Sequence, residues 1–250
     1  MSFVYSARLC LLTRGGDLAR FLYNGVVLRC CPPLANAIYE RLPHKWLRYL
    51  LGHGVIGKVH ATFDWSITLA NGKPLQIAVN PDDRFSVGCA FEYKAHDAGL
   101  KRTQEFFLDR CGERAVYLDI GANVGVSSIY ALSAGKTCWL FEPNTALHTF
   151  GQSLFAQNAF TKARWEAVAL SDHAGEARFF VSRSSFLSSF DRDHAEREGA
   201  AMEIVVPMRT LDSYLPELQA APDEVLVKID VEGHEMPVLN GARRGTGSTR

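Results

Sequence analysis

The chain has 250 residues, 47% of them hydrophobic, and Lys+Arg and Asp+Glu both number 27, so the formal net charge is zero. That length suffices for one core of ~100–200 residues plus an appendage, and the balanced charge removes the electrostatic case for nucleic acid as the main partner. No apolar run approaches the ~20 residues that a membrane-spanning helix needs, and the cluster Leu9 to Leu12, cut by Arg14, is too short for a signal-peptide core.

Residues 1–57 read as an N-terminal helical segment. Asp17 to Val27 and Leu34 to Leu50 carry apolar residues three and four apart, with Cys31-Pro32-Pro33 between them and Pro43 ending or kinking the second. Gly52, Gly54 and Gly57 mark the boundary that follows. Residues 58–110 read as a β-hairpin and a helix that cap the main domain. Val59 to Leu69 alternates, Asn71-Gly72 is a strong hairpin signal, and Pro74 to Asn80 returns. Lys101 to Leu108 is then helical, with Cys111-Gly112 as its stop.

Residues 111–242 form the domain proper, and 243–250 a glycine-rich, basic tail. Val116 to Ile120 is a short apolar strand, Gly121 and Gly125 make a tight turn, and Val126 to Leu132 opens a helix whose first amides would face a carboxylate or phosphate. Thr137 to Phe141 is a second strand, Thr145 to Asn158 a helix, and Ala163 to Leu170 a third strand. Ala177 to Ser182 and Glu203 to Met208 are further strands, separated by the polar segment Ser184 to Gly199, which reads as a mobile loop. Thr210 caps a short helix, and Val225 to Ile229 is the last strand before Asp230-Val231-Glu232-Gly233-His234-Glu235. Strands alternating with helices argue an α/β fold with a parallel, doubly wound sheet.

In such sheets ligands bind beyond the carboxyl ends of the strands. Asp119, Glu142, Ser171-Asp172 and Asp230-Glu232 all fall at such ends. A dinucleotide site would want glycine where Asn123 and Val126 stand, and the lysine of a phosphate-binding loop is missing. An aspartate just before the glycines repels phosphate and suits a cationic ligand with an amino group, such as S-adenosylmethionine. Glu142 is placed to accept from ribose hydroxyls, and Asp172 from an adenine amino group. The bland alternatives are a helix-capping role for Asp119 and a surface charge for Glu142. The six cysteines, Cys10, Cys30, Cys31, Cys89, Cys111 and Cys138, contain no C-x-x-C and no zinc spacing, and read as thiols of a cytoplasmic protein with no metal site.

The order LDIGANVG, FEPN, AVALSD, TLDSYL and VKIDVEGHEMPVLNGA resembles the FkbM family of S-adenosylmethionine-dependent methyltransferases, over about Phe85 to Ala242. The resemblance implies a Rossmann-like class I methyltransferase sheet with the cofactor at Asp119, Gly121, Asn123, Gly125, Glu142 and Asp172, and with Ala122, Pro143, Asn144 and Ser171 alongside. Glu92 resembles the family's glutamate upstream of the glycine turn, at the methionine end. The implied reaction is methylation of a hydroxyl on a small molecule or sugar, with His234 as general base, Asp230 as positioning acceptor and Glu232 in the same turn. Lys228 alternates with apolar strand residues and reads as structural.

Family members continue past Leu239-Asn240-Gly241-Ala242 into further strands, so the chain is expected to be C-terminally truncated. The incomplete sheet edge would call for a second copy or a partner. The competing reading is a catalytically weak S-adenosylmethionine-binding or scaffold paralogue. A nicotinamide-dependent oxidoreductase is disfavoured by Asn123 and Asp119.

Overall fold

A computed structural model describes residues 63–79, 89, 98–182, 187–218, 220 and 224–243, with isolated positions between 26 and 41. By internal contacts the chain divides into Met1–Leu100 and Lys101–Arg250. In the first unit, β1 (Phe63–Thr68) and β2 (Pro74–Val79) pair antiparallel, as expected. Leu69 and Lys73 exchange a backbone bond around the Asn71-Gly72 turn, and Gly72 sits at φ 78°. Ile67, Leu75 and Ile77 are buried. The helical segments expected in residues 1–57 lie almost wholly outside the described residues, as does Glu92.

Helix α1 (Ala98–Leu108) leads into β3 (Val116–Ile120), and then a 3₁₀ turn (Val126–Ser128) runs into α2 (Ile129–Ser133). Next come β4 (Thr137–Phe141), α3 (Thr145–Gln157) and β5 (Ala163–Glu166). Together with β9 (Val225–Ile229) they build a four-stranded sheet in the order β5-β4-β3-β9, every neighbouring pair parallel. Connections therefore step outward one way from β3 to β4 and β5, while β9 joins on the other side. Such a reversal in strand order opens a crevice at the carboxyl ends. The register aligns Ile120 with Phe141 and Ile229, and Phe141 with Glu166, so Gly121, Glu142 and Asp230 follow side by side.

Each face of this sheet has its own cover. Val116, Leu118, Ile120, Trp139 and Phe141 pack with Val168, Leu170, Leu211, Tyr214 and Val238 in one apolar cluster. Tyr214 anchors it, with its ring edge-on to both Trp139 and Phe141. On the opposite face lie Tyr117, Asp119 and Cys138, with Ser128 and the α1 residue Gln104 as polar partners.

The expected third strand, Ala163 to Leu170, is two. β5 stops at Glu166, and β6 (Ala169–Leu170) leaves the parallel sheet to pair with Met208 and Arg209 of β8 (Met202–Arg209). β7 (Gly175–Val181) lies antiparallel on the other side of β8. Within the stretch expected as a loop, residues 187–199 carry secondary structure. Asp191 accepts from the Asp193 and His194 amides to cap α4 (Arg192–Ala195), and Ser189 bridges to Phe180. Thr210 does stand at the start of a short turn, but its side chain caps nothing; its carbonyl accepts from Ser213 instead.

The end of the last described helix is equally specific. Helix α5 (Glu235–Asn240) ends at Gly241, and a Cβ there would lie 2.0 Å from the Ser171 carbonyl oxygen. The Gly241 carbonyl accepts from the Asp212 amide, joining the TLDSYL and LNGA stretches. Among the described residues β9 is an outer strand of the sheet, and Val227 on it is 40% exposed.

Candidate functional site

Three turns meet at the carboxyl edge of the parallel sheet. The first is Gly121 to Gly125, where Gly121, Asn123 and Gly125 are all left-handed at φ 74°, 53° and 82°. Asparagine is among the few residues with a side chain that tolerate this region. Gly121 is obligatory for a second reason: a Cβ there would stand 1.9 Å from the Asp230 carbonyl oxygen. The backbone just past β3 therefore lies directly against the backbone just past β9. Gly125 allows the turn to rest against Phe155, Leu140 and Trp165.

Most of the turn's amides are satisfied within the protein. Gly121 and Ala122 donate to the Phe141 carbonyl, and Gly125 to Ala122. The Asn123 amide donates to Glu142 Oε2 at 3.0 Å. The glycine turn thus binds an acid of the chain itself, from the neighbouring strand. Asn123 Oδ1, in contrast, is buried without a hydrogen-bond partner.

The second turn is Glu142-Pro143-Asn144. Glu142 also accepts the Asn144 amide on Oε1 at 2.9 Å, while Asn144 Oδ1 accepts from Ala146 and caps α3. His148, one turn along that helix, holds the Glu142 carbonyl at 2.7 Å and stacks on Trp165. Burial pushes the Glu142 carboxyl up to about 7, against the pull of the Asn144 and Asn123 amides and of Lys228. Pro143 is half-buried beside it.

The third turn follows β9. Lys228 sits in register with Asp119, and its Nζ lies 3.1 Å from Asp119 Oδ1, 3.6 Å from Asp230 Oδ2 and 2.9 Å from the Gly121 carbonyl. Asp119 is 0% exposed, and its other oxygen accepts from Ser128 at 2.8 Å. It supplies its charge from behind the glycine turn. Asp230 is open to solvent, its side chain 58% exposed. Burial opposes the charge on Lys228, but the carboxylates of Asp119 and Asp230 prevail and hold its pKa above the ordinary lysine value.

Beyond Asp230 the turn is fastened from two sides. Glu235 Oε1 accepts from the Gly233 amide at 3.1 Å and the Val231 amide at 3.4 Å, which leaves Glu232 left-handed at φ 50°. Glu232 lies 3.1 Å from His194 Nε2, and its carbonyl accepts from Ser189 Oγ at 2.9 Å. Burial raises the Glu232 carboxyl, and Asp230 raises it further. His234 is packed 4.5 Å from the Phe190 ring, with Nε2 3.0 Å from Ser171 Oγ. Burial lowers its pKa below the usual histidine value. Ser171 also contacts Asp172, whose carboxyl is held low by the His173 ring at 2.6 Å.

The structure thus brings Asp119, Gly121, Ala122, Asn123, Gly125, Glu142 and Asp230 to one edge of the parallel sheet, with Asp119 buried behind the glycine turn. It joins Ser171, Asp172 and His234 in a separate polar line, and ties Glu232 to His194. Sequence reasoning gave Lys228 only a structural part and did not single out Ser128, His148, Phe190, His194 or Glu235 at all. For Glu235 there was a signal, an acid in the first turn of a helix; the others became visible only through contacts distant in sequence.

All three turns fall within the span of a known family domain. The family model described as the methyltransferase FkbM domain matches residues 119–249, just over half of the chain. The protein belongs to the FkbM methyltransferase family. The match opens at Asp119, on the buried acid of the glycine turn, and takes in every strand end of the crevice. Comparisons with curated proteins and with solved structures return no match. Among the described residues no helix is long and apolar enough to cross a membrane. The described residues also hold no cluster of three or more His, Cys, Asp or Glu that could bind a metal ion.

Proposed function

We propose that the protein is an S-adenosylmethionine-dependent O-methyltransferase acting on a hydroxyl of a small molecule or sugar. The observation that carries the reading is the crevice of Asn123 and Glu142. It offers an acidic acceptor beside a buried, unpartnered amide oxygen, at the point where strand order reverses. That pair of acceptors fits a nucleoside with an amino-acid tail. A carboxylate already held by two amides keeps its remaining lone pairs for ribose hydroxyls, and Asn123 Oδ1 can accept from an N–H or O–H. Three carboxyl groups, of Asp119, Glu142 and Asp230, against the one ammonium of Lys228 disfavour a phosphate ligand at this edge.

In this reading Gly121, Ala122, Asn123 and Gly125 shape the floor for the methionyl end, Glu142 with Pro143 and Asn144 the ribose side, and Ser171-Asp172 the flank. The bound cofactor supplies an electrophilic methyl group on a sulfonium. Asp230, exposed beside Lys228, orients the acceptor hydroxyl. His234 takes its proton, because burial keeps the imidazole neutral and able to accept one at pH 7. Ser171 donates to Asp172 and so accepts from the His234 Nε2–H, a tautomer that leaves the Nδ1 lone pair available. Glu232, fixed by His194 and Ser189, sets the path of the turn. Thiols at Cys30, Cys31, Cys89, Cys111 and Cys138 agree with a cytoplasmic setting.

A methyl-transfer assay with a tritiated donor and a panel of hydroxylated acceptors tests the reading. Label in a base-stable ether, reduced in His234→Gln, is the expected result. Label on nitrogen, or in a base-labile ester, overturns the choice of a hydroxyl.

A further inference from the structure

We infer that Lys228 is the positioning residue that locks the cofactor turn to the catalytic turn, through its simultaneous hold on the Gly121 carbonyl, Asp119 and Asp230. The inference rests on the proposed use of the two turns, but its geometry is independent of any ligand. Lys228 is buried; its ammonium donates to the Gly121 carbonyl at 2.9 Å and pairs by charge with Asp119 at 3.1 Å and Asp230 at 3.6 Å. An apolar residue would satisfy the strand pattern equally well at this site. It would leave the Asp119 charge buried without a counter-ion and the Gly121 carbonyl without its donor.

The surrounding charges argue for more than internal neutrality. Asp119 takes a hydrogen bond from Ser128 on one oxygen and the Lys228 charge beside the other. Lys228 also reaches past it to an exposed carboxylate, Asp230, and to the carbonyl at the head of the glycine turn. The close approach of Gly121 to the Asp230 carbonyl makes these two turns a single joint, and Lys228 is the side chain that pins it. The same ammonium favours the ionised form of Glu142, one strand away. The negative groups facing it are Asp119, Asp230 and Glu142; no other cation is recorded against this cluster among the described residues. Losing Lys228 therefore moves both the shape of the cofactor turn and the pH at which Glu142 can accept hydrogen bonds.

The test uses the full chain, wild type and Lys228→Met, with S-adenosylhomocysteine titrated calorimetrically from pH 6 to 9. Ligand-free hydrogen exchange is followed over residues 119–125 and 230–235. The variant should lose at least tenfold in affinity, shift its pH dependence to higher pH, and exchange faster in both turns together. Affinity within twofold, an unmoved pH dependence and unchanged exchange would overturn the inference. Should the variant fail to fold, the wild type still decides. Its 15Nζ-lysine spectrum should contain one ammonium protected from water exchange and assigned to Lys228, and absence of such a signal overturns the inference. If the wild type does not bind S-adenosylhomocysteine, the proposed function falls, while ligand-free exchange and the ammonium signal still judge the role of Lys228.

Discussion

The backbone amide of Asn123 donates to the Glu142 carboxylate across the ends of two adjacent parallel strands, 3.0 Å apart. This bond joins the glycine turn to the acidic turn before any ligand arrives. It also explains why a left-handed asparagine stands where a dinucleotide fold would carry glycine: its amide is aimed at an acid on the neighbouring strand, and its buried side-chain oxygen is left for something else.

From that bond follows a pH dependence. Burial lifts the Glu142 carboxyl to about 7, above its value in the unfolded chain. Between its unfolded pKa of ~4.3 and pH 7, the folded state holds more protons than the unfolded state, so this residue makes stability fall as pH rises through that window. Ligand binding runs the opposite way, since only the ionised acid accepts from both ribose hydroxyls. Affinity for S-adenosylhomocysteine should rise from pH 6 to pH 8 and binding should release protons, measured by calorimetry in buffers of differing ionisation enthalpy. Glu142→Gln should flatten both dependences.

Gly121 and Gly241 are close-approach glycines, and the two should behave alike on substitution. At either, an alanine Cβ would fall about 2 Å from a carbonyl oxygen, that of Asp230 or Ser171. Overpacking, with left-handed strain added at Gly121, should cost ~2–5 kcal/mol in urea denaturation. Gly99→Ala, in helix α1 with open space around it, should instead stabilise by ~0.5–1 kcal/mol.

Phe190 is predicted to control the proton affinity of His234. Burial depresses the folded pKa of this histidine, so its contribution to stability is present above the ordinary value near 6.5 and is lost as pH falls through the folded value. Phe190→Ala opens the ring to water and should move the His234 titration upward, seen by NMR. The acidic limb of the pH–rate profile should move with it, to higher pH. Phe190→Trp should restore the wild-type position.

The strands and their order of use were readable in the sequence because each is a short apolar run ended by a glycine, an acid or both. Val116 to Ile120, Thr137 to Phe141 and Val225 to Ile229 need only the period and the stop. The break between Glu166 and Ala169 was not readable, because a strand that changes sheets keeps the same apolar composition while its partner, Met208-Arg209, lies far along the chain. Asp191 did carry a cap signal for α4, obscured by the polar, serine-rich stretch around it. At the site, the glycine turn and Glu142 stood out by residue type. The union of Ser171 with His234, 63 positions apart, and the three partners of Lys228 depend on packing that no local pattern encodes.

What binds beside Asn123 and Glu142 is read most directly by calorimetric titration of S-adenosylhomocysteine against NAD at pH 8. One site for S-adenosylhomocysteine, none for NAD, and roughly a 10–100-fold loss in Glu142→Gln are expected, the loss being that of one or two hydrogen bonds to a charged acceptor. Binding of NAD in place of S-adenosylhomocysteine, or a Glu142→Gln affinity equal to wild type, would contradict the proposed function.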